Sequence, residues 1–313
     1  MRLTHTVRPE EAGMTLQHVL RSVMGLSSRQ VRIAKQQGAV TVDDAPFFSN
    51  QKVSSGMVVC VALSDYAAET RAAEVPRAAV RVLYEDEALI AVHKPALLQC
   101  HPSPSAPGGS DTLEARVTAH LGRPAHPVHR LDSETTGIVL FAKLPFVQAH
   151  LQQQMQDGTF RKTYQAWVLG RPDPCKGTID APIARENPDS FTRIVTPDGQ
   201  RAVSRYKTLR SMTIESGTEV SLMELSPITG RTHQLRVHMT HIGCPLLGDT
   251  RYHTAASDGV SRRLGLHYHQ LAAVSLRFIH PVTGKEISVS CPAEFAFQPD
   301  RLPLENTDKY EGA

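Results

Sequence analysis

The sequence lacks the features that mark membrane, secreted or metal-binding proteins. Its five cysteines are scattered without a Cys-x-x-Cys pair, which argues against both a disulfide framework and a zinc knuckle. No run of about 18 apolar residues occurs, and residues 1–13 lack the apolar stretch of a signal peptide. His233, His238 and His241 lie close together, but no carboxylate or cysteine at ligand spacing accompanies them. We therefore expect a cytoplasmic protein with reduced thiols and no bound metal.

Two further sequence patterns are missing. The chain has no glycine-rich phosphate loop of the Walker or dinucleotide type, so no nucleotide cofactor is expected. A glycosidase would need two facing carboxylates, whereas the HRLD motif offers one, Asp132, and the next carboxylate, Glu134, lies two residues further on. The expected chemistry is therefore one that needs neither a cofactor nor a carboxylate pair.

Length and charge indicate a two-domain protein with a basic N-terminal part. A chain of 313 residues with 41% hydrophobic content exceeds the usual size of one domain. The net charge is +3, and residues 1–60 hold seven Lys or Arg against four Asp or Glu, so the whole excess lies there. Such a sum is weak evidence for nucleic acid unless the basic residues cluster.

The N-terminal basic residues do cluster. Thr15 can cap a first helix, whose apolar residues recur with helical spacing at Leu16, Val19, Leu20 and Val23. A second helix would carry Arg29, Arg32 and Lys35 on one face and end at Gly38. Residues 39–44 and 56–63 then read as two strands. A solvated charged face is the alternative interpretation of the basic stripe.

This order of helix, basic helix and hairpin resembles the S4 RNA-binding module. The resemblance implies that Arg29, Arg32 and Lys35 contact RNA phosphates. We assign residues 1–65 to an S4-like domain and the alanine-rich residues 66–79 to a linker.

Residues 80–300 are expected to form one α+β domain around a mostly antiparallel or mixed sheet, followed by a tail at 301–313. Residues 100–110 contain three prolines and two glycines and predict a loop, after which Asp111 or Thr112 would cap a helix. Pro145 suits the first turn of a helix that Gly158 would end. Apolar and polar residues alternate around Tyr164, which indicates a strand.

Residues 129–140, HRLDSETTGIVL, are the most informative stretch of the chain. Asp132 precedes a Thr-Thr-Gly turn that enters an apolar strand, and a carboxylate held at such a position is a candidate catalyst. A surface turn with a structural ion pair is the alternative, because clustered charges mark functional sites only statistically.

Five motifs in order resemble those of the RluA-type RNA pseudouridine synthases. His129 to Gly137 resembles the signature HRLDxxTSG, with Thr136 where serine is usual. The other four motifs are the lysine-proline strand end at 91–95, K-x-Y-x-A at 162–166, TGRTHQLRVH at 229–238 and GD-x-x-Y at 248–252. The resemblance spans roughly residues 80 to 290.

The resemblance implies that uridine in RNA is isomerised to pseudouridine, with Asp132 as the catalytic carboxylate. Asp132 would either attack C1′ or remove a proton from C2′, and an ionised Asp132 in a closed site needs a cation, for which Arg231 is the candidate. Tyr164 would lie against the uracil base. Arg130 would fill the space of the flipped base or contact the backbone, and Leu235 would form an apolar floor, although its helical spacing also fits a core residue.

The target RNA is less well specified by the sequence. The S4-like module favours a structured ribosomal RNA, which we expect to be that of the large subunit, and transfer RNA is the alternative substrate. Two other functional classes remain: a non-catalytic RNA-binding or ribosome-assembly protein, and a nucleosidase that would leave free uracil. We expect a monomer that binds RNA and no membrane.

Overall fold

In the computed structural model the described residues are 2–26, 28–47, 50–62, 79–102, 111–214 and 217–298, with the side chain of Arg29 excepted. The expected linker 66–79, apart from its last residue, and the expected tail 301–313 lie outside the described residues, as do positions 103–110 of the expected loop.

The N-terminal part is a small antiparallel sheet with helices beside it. The elements are β1 (Arg2–Thr6), a 3-10 turn (Pro9–Glu11), α1 (Leu16–His18), a π-helical turn (Val19–Val23), α2 (Ser28–Gln36), β2 (Val40–Val42), β3 (Ala45–Pro46) and β4 (Val58–Ala62). The strands pair in the order β1, β4, β2, β3.

Local signals in the sequence account for most of this part. The Thr15 side chain accepts a hydrogen bond from the backbone N–H of His18 at 3.2 Å, as expected of an N-cap. Leu16, Val19 and Leu20 are buried, so the predicted apolar face is confirmed. The helix is nevertheless mostly π-helical, and strand β1 was not predicted from the sequence.

The larger part is built on a ten-stranded sheet, and the expected mixed, mostly antiparallel sheet is confirmed. Its main order is β10, β13, β14, β9, β15, β8, β6, β5, and the only parallel pair described within it is β8 with β15. The strands are β5 (Arg81–Glu85), β6 (Leu89–Lys94), β7 (His126–Pro127), β8 (Thr136–Ala142), β9 (Arg161–Leu169), β10 (Lys176–Asp180), β13 (Val203–Ile214), β14 (Thr218–Pro227), β15 (Leu271–Ile279) and β16 (Glu286–Ser290). A separate hairpin pairs β11 (Ile183–Arg185) with β12 (Arg193–Val195).

Four helices accompany the large sheet: α3 (Leu113–Leu121), α4 (Pro145–Asp157), α5 (Gln234–His241) and α6 (Ala255–Arg263). Two of the helix ends follow the sequence signals closely. The Thr112 side chain caps α3 by accepting from the N–H of Ala115 at 3.2 Å. Pro145 opens α4, and Gly158 ends it in the left-handed conformation. Among the described residues, no helix is both long and apolar enough to cross a membrane.

The core of the large part positions the start of β8. Strands β6 and β8 are neighbours and are buried along their whole lengths. Helix α4 packs against β8 and β15, and its His150 ring lies 3.1 Å from the carbonyl oxygen of Met24 in the N-terminal part. The loop that enters β8 therefore stands on a rigid, fully buried strand pair.

Gly137, the second residue of β8, is required by the parallel pairing with β15. Its φ is +108°, and a Cβ there would lie 2.1 Å from the backbone oxygen of Ala273. We expect Gly137→Ala to lower the free energy of unfolding by about 3 kcal/mol or more, because both strain and a backbone clash oppose it. Gly158→Ala is the matched control, since Gly158 has φ +80° but open space, and should lose only about 1 kcal/mol. Urea unfolding followed by the fluorescence of the single tryptophan, Trp167, measures both losses, and equal losses would contradict this explanation.

Candidate active site

A cleft of about 720 Å³ opens beside the start of β8. Its walls come from the loop before β8, from β9, from α4 and from the segment that leads into α5. The residues that the sequence suggested for this domain all line it: Arg130, Asp132, Tyr164, Arg231 and Leu235. The fold thus brings motifs that are far apart in the sequence to one surface.

Asp132 lies in a tight turn just before β8. The backbone N–H of Thr135 donates to the carbonyl oxygen of Asp132 at 3.1 Å, and the Lys94 ammonium donates to the carbonyl of Ser133 at 2.6 Å. The side chain of Asp132 keeps 23% of its surface exposed and lines the cleft. The turn is therefore fixed while its carboxylate stays accessible.

Lys94 is a buried cation whose role the sequence did not reveal beyond the lysine-proline motif. It ends β6 and is completely buried, and its ammonium also donates to the carbonyls of Pro95 and Leu98 at 2.9 and 2.7 Å. Burial lowers the pKa of Lys94 to about 8. With its bond to Ser133, this lysine ties the end of β6 to the turn that carries Asp132.

Arg236 is the arginine that contacts Asp132. Its Nη1 donates to Oδ2 of Asp132 at 3.3 Å, while Nε and Nη2 donate to the two carboxylate oxygens of Asp249 at 2.7 and 2.8 Å. Asp249 is itself buried; although burial would raise its pKa, the hydrogen bonds from Arg236 lower it. The Tyr252 ring lies 5.0 Å from the guanidinium carbon, a cation–π distance. Arg236 is thus held by Asp249 and Tyr252 with one N–H directed at Asp132.

The expectation that Arg231 pairs with Asp132 is wrong in this structure. Arg231 lies in the loop before α5, is exposed, and donates from Nε to the carbonyl oxygen of Arg201 at 3.0 Å. Arg236 lies within α5, where every residue from Gln234 to Met239 is buried, and its side chain reaches Asp132. A signal was available in the sequence, because Arg236 stands between the apolar residues Leu235 and Val237, where a solvated arginine is not expected.

Tyr164 lines the cleft from β9 with its side chain almost completely buried. Burial, together with the negative charge of Asp132, raises the pKa of Tyr164 above its usual value. The phenol is therefore neutral at pH 7 and carries a proton that it can donate or exchange.

Two of the predicted residues differ in their exposure at the cleft: Leu235 is buried and Arg130 is exposed. Leu235 is only 6% exposed and packs in the same apolar cluster as Leu131, Tyr164 and Leu271, so it serves the core and the cleft at once. Arg130 is exposed, with its Nη1 3.5 Å from Nε2 of His101. The exposed guanidinium lies at the cleft, close to the turn that carries Asp132.

The cleft extends beyond Tyr164 along α4. Gln152 and Gln156, one helical turn apart, line this extension together with Lys162, which precedes Tyr164 by two residues and so shares its side of β9. Burial lowers the pKa of Lys162. The extension therefore offers amide and ammonium groups that can hydrogen-bond a ligand.

His129 titrates far below its usual range. Its Nε2 accepts a hydrogen bond from the N–H of Leu140 at 3.3 Å, and burial lowers the pKa of His129 to about 3. Between pH 6.5 and 3, His129 binds a proton in the unfolded chain but not in the folded one. The free energy of unfolding therefore falls as the pH falls, by about 2 kcal/mol at pH 5. We expect His129→Gln, which can still accept from Leu140, to reduce the stability difference between pH 7 and pH 5 by that amount. Urea unfolding at both pH values tests this, and an unchanged difference would contradict it.

A basic depression lies on the N-terminal part. Arg21, Arg32 and Lys35 line it, and their side chains are exposed. The side chain of Arg29, the remaining member of the expected basic stripe, is outside the described part of the chain. The described basic side chains are thus free to meet an anionic polymer.

Comparison with known sequences identifies the family. A model of the RNA pseudouridylate synthase family matches residues 88–241. An uncharacterized RNA pseudouridine synthase of Mycobacterium bovis is 32% identical over 287 residues, which cover 90% of this chain and 91% of that protein. The ribosomal large subunit pseudouridine synthase C of Vibrio cholerae is 34% identical over 218 residues, 68% of this chain and 65% of that protein.

A solved structure agrees with this assignment. Human RNA pseudouridylate synthase domain containing 4 matches with a TM-score of 0.55 and 28% identity, over 68% of this chain and 88% of the human chain. The chain therefore belongs to the RluA-type family of RNA pseudouridine synthases, isomerases that convert uridine in RNA to pseudouridine.

Proposed function

We propose that this synthase modifies uridine in large-subunit ribosomal RNA and that Asp132 is its catalytic carboxylate. The observation that carries the assignment of Asp132 is its accessible carboxylate, 3.3 Å from the buried Arg236 in the main cleft of the described chain. The guanidinium hydrogen-bonds this carboxylate and so holds it in the cleft, where either catalytic role requires it.

The reaction breaks the N1–C1′ bond, turns the base and joins C5 to C1′ without loss of atoms. The target base has to leave its stack and enter the cleft, at a cost of a few kcal/mol. Asp132 then attacks C1′ or removes the C2′ proton, and the uracil that departs carries negative charge until C5 bonds to the sugar. A cleft closed on one side by Leu235 and Tyr164 keeps this fragment from diffusing away.

The remaining cleft residues receive supporting roles. Neutral Tyr164 lies beside Asp132 and can stack against uracil and exchange the proton that C5 loses. Leu235 supplies the apolar floor. Arg130, which is exposed at the rim, contacts the RNA backbone or fills the space that the flipped base leaves. Arg231, also exposed at the cleft, serves as an RNA contact in place of the pairing with Asp132 first expected of it.

The choice of RNA rests on the N-terminal part and on one relative. We assign residues 1–65 to an S4-like module, joined through 66–79 to the catalytic domain 80–300, with Arg29, Arg32 and Lys35 as phosphate contacts. The Vibrio cholerae relative is a large-subunit synthase by name. A structured ribosomal RNA could bind to the S4-like module and also place its target nucleotide in the extended cleft.

Tritium release distinguishes the possible substrates. Ribosomal and transfer RNA carrying C5-tritiated uridine, taken from a strain without the gene, are incubated separately with the wild type and with Asp132→Ala. The proposal requires release from large-subunit RNA by the wild type alone. Release from transfer RNA alone would show that transfer RNA is the substrate and would leave the assigned reaction unchanged. No release from any RNA would favour a non-catalytic, RNA-binding role.

A further inference from the structure

His233, the residue before α5, has an unusual backbone conformation beside the carboxylate. Its φ of +57° and ψ of 17° place it in the left-handed region, which only a few per cent of residues other than glycine adopt, histidine being one of the types found there more often. Such backbone strain tends to collect at functional sites, where the surroundings hold it in place. The side chain of His233 lines the cleft and approaches Asp132.

A chain of hydrogen bonds favours one tautomer of His233. The hydroxyl of Tyr252 accepts from the backbone N–H of Arg193 at 2.8 Å, and among the described residues Nδ1 of His233, 2.7 Å away, is the acceptor placed to take the hydroxyl proton. Burial lowers the pKa of His233 to about 4, so the ring is neutral at pH 7. With Nδ1 an acceptor, the single ring proton resides on Nε2.

The Nε2 proton lies beside the reacting centre. Nε2 is 3.9 Å from Oδ2 of Asp132, which exceeds the length of a hydrogen bond, so the proton is available to a substrate atom next to the carboxylate. In either route the carboxylate of Asp132 has to lie against C1′ or C2′ of the target ribose. The 2′-oxygen is bonded directly to C2′. It is one bond further from C1′ than the ring oxygen, but as a hydroxyl oxygen it is the better hydrogen-bond acceptor of the two.

We propose that His233 is a substrate-contacting residue whose Nε2–H donates a hydrogen bond to the 2′-hydroxyl oxygen of the target uridine. This inference rests on the proposed function, because it assigns a role at the same cleft. Tyr252 is then a positioning residue that acts through His233. The bond would hold the ribose against Asp132 and would select RNA over DNA at the target nucleotide, since the 2′-hydroxyl is the group in which they differ.

The test combines changes in the protein with a change in the substrate. His233→Gly removes the imidazole while glycine adopts the left-handed conformation without strain, and His233→Asn is a second variant that tolerates it. Each is compared with the wild type under single-turnover conditions, on the RNA selected by tritium release and on the same RNA with 2′-deoxyuridine at the target. Thermal unfolding confirms that the variants fold.

We expect His233→Gly to slow the reaction of the uridine substrate by about 10- to 100-fold, the effect of losing a hydrogen bond in a closed site. On the 2′-deoxy substrate, His233→Gly should slow the reaction less than about twofold. The hydrogen bond to the 2′-hydroxyl is already absent from that substrate, so removing the imidazole has no further bond to break. Tyr252→Phe should cause a smaller loss with the same dependence on the 2′-hydroxyl. If the deoxy substrate reacts too slowly to measure, the affinities of the two RNAs for Asp132→Asn are compared with their affinities for the same variant that also carries His233→Gly.

Equal losses on both substrates, or no loss on the uridine substrate, would overturn the role of His233. Either result would leave the proposed function intact, because the wild type would still isomerise the RNA. A wild type that is inactive on every RNA would instead defeat the proposed function and this inference together.

Discussion

Asp132→Asn is expected to slow pseudouridine formation by about 10⁴-fold or more, because asparagine can neither attack C1′ nor remove a proton. The protein should still fold, since Arg236 remains neutralised by Asp249 when the charge of Asp132 is removed. RNA binding should persist for the same reason. Single-turnover kinetics at saturating enzyme, together with RNA affinity, measure the two effects separately.

Glu134→Gln is the matched control for Asp132→Asn. Glu134 lies two residues further along, and its carboxylate is 2.9 Å from Nδ1 of His269 rather than being directed into the main cleft. Its loss should reduce the rate by less than about tenfold, the scale of a single hydrogen bond. An Asp132→Asn enzyme that keeps more than a hundredth of the wild-type rate, or a Glu134→Gln enzyme that loses as much as Asp132→Asn, would refute the assignment of the catalytic carboxylate.

The second large effect is expected at Arg236. Arg236→Ala should slow the chemical step by about 10²- to 10³-fold, because Asp132 loses the guanidinium that orients its carboxylate in the cleft. It should also lower the free energy of unfolding by about 3–5 kcal/mol, since the buried carboxylate of Asp249 is left without its partner. Arg236→Lys keeps the positive charge but loses the two-point contact, and should be the more stable of the two variants.

Arg231→Ala is the control that separates the two arginines. The side chain of Arg231 is exposed and makes a hydrogen bond to one backbone carbonyl, so the free energy of unfolding should change by less than about 0.5 kcal/mol. RNA affinity should fall, whereas the single-turnover rate at saturation should stay close to that of the wild type. A larger rate loss for Arg231→Ala than for Arg236→Ala would restore the original assignment and contradict the geometry.

Local interactions explain which elements were predictable from the sequence. The N-cap Thr112, the initial Pro145 and the terminal Gly158 act on neighbouring backbone groups, and the structure confirms all three ends. Strand β1 was missed because its identity depends on pairing with β4, more than fifty residues later, and not on its own alternation. The π-helical turn after α1 was missed because the apolar spacing is similar in both kinds of helix.

In the candidate site, too, the sequence predicted what local motifs determine and missed what the packing of the fold determines. The motifs located Asp132 and Tyr164 correctly at the cleft, because each lies on or beside a strand of the central sheet. They did not identify which arginine contacts Asp132, because that depends on the direction in which α5 presents its side chains. Lys94 and His233 were overlooked for a related reason: burial and a left-handed backbone are properties of the fold, and the sequence letters do not display them.

Nucleoside analysis of treated RNA tests the central claim most directly. RNA incubated with the wild type, and separately with Asp132→Asn, is digested completely, and uridine, pseudouridine and free uracil are quantified by chromatography and mass spectrometry. The account predicts that the wild type forms one pseudouridine for each uridine lost, with no free uracil, and that Asp132→Asn forms none. Pseudouridine formed equally by both proteins, or uracil released in place of pseudouridine, would contradict it.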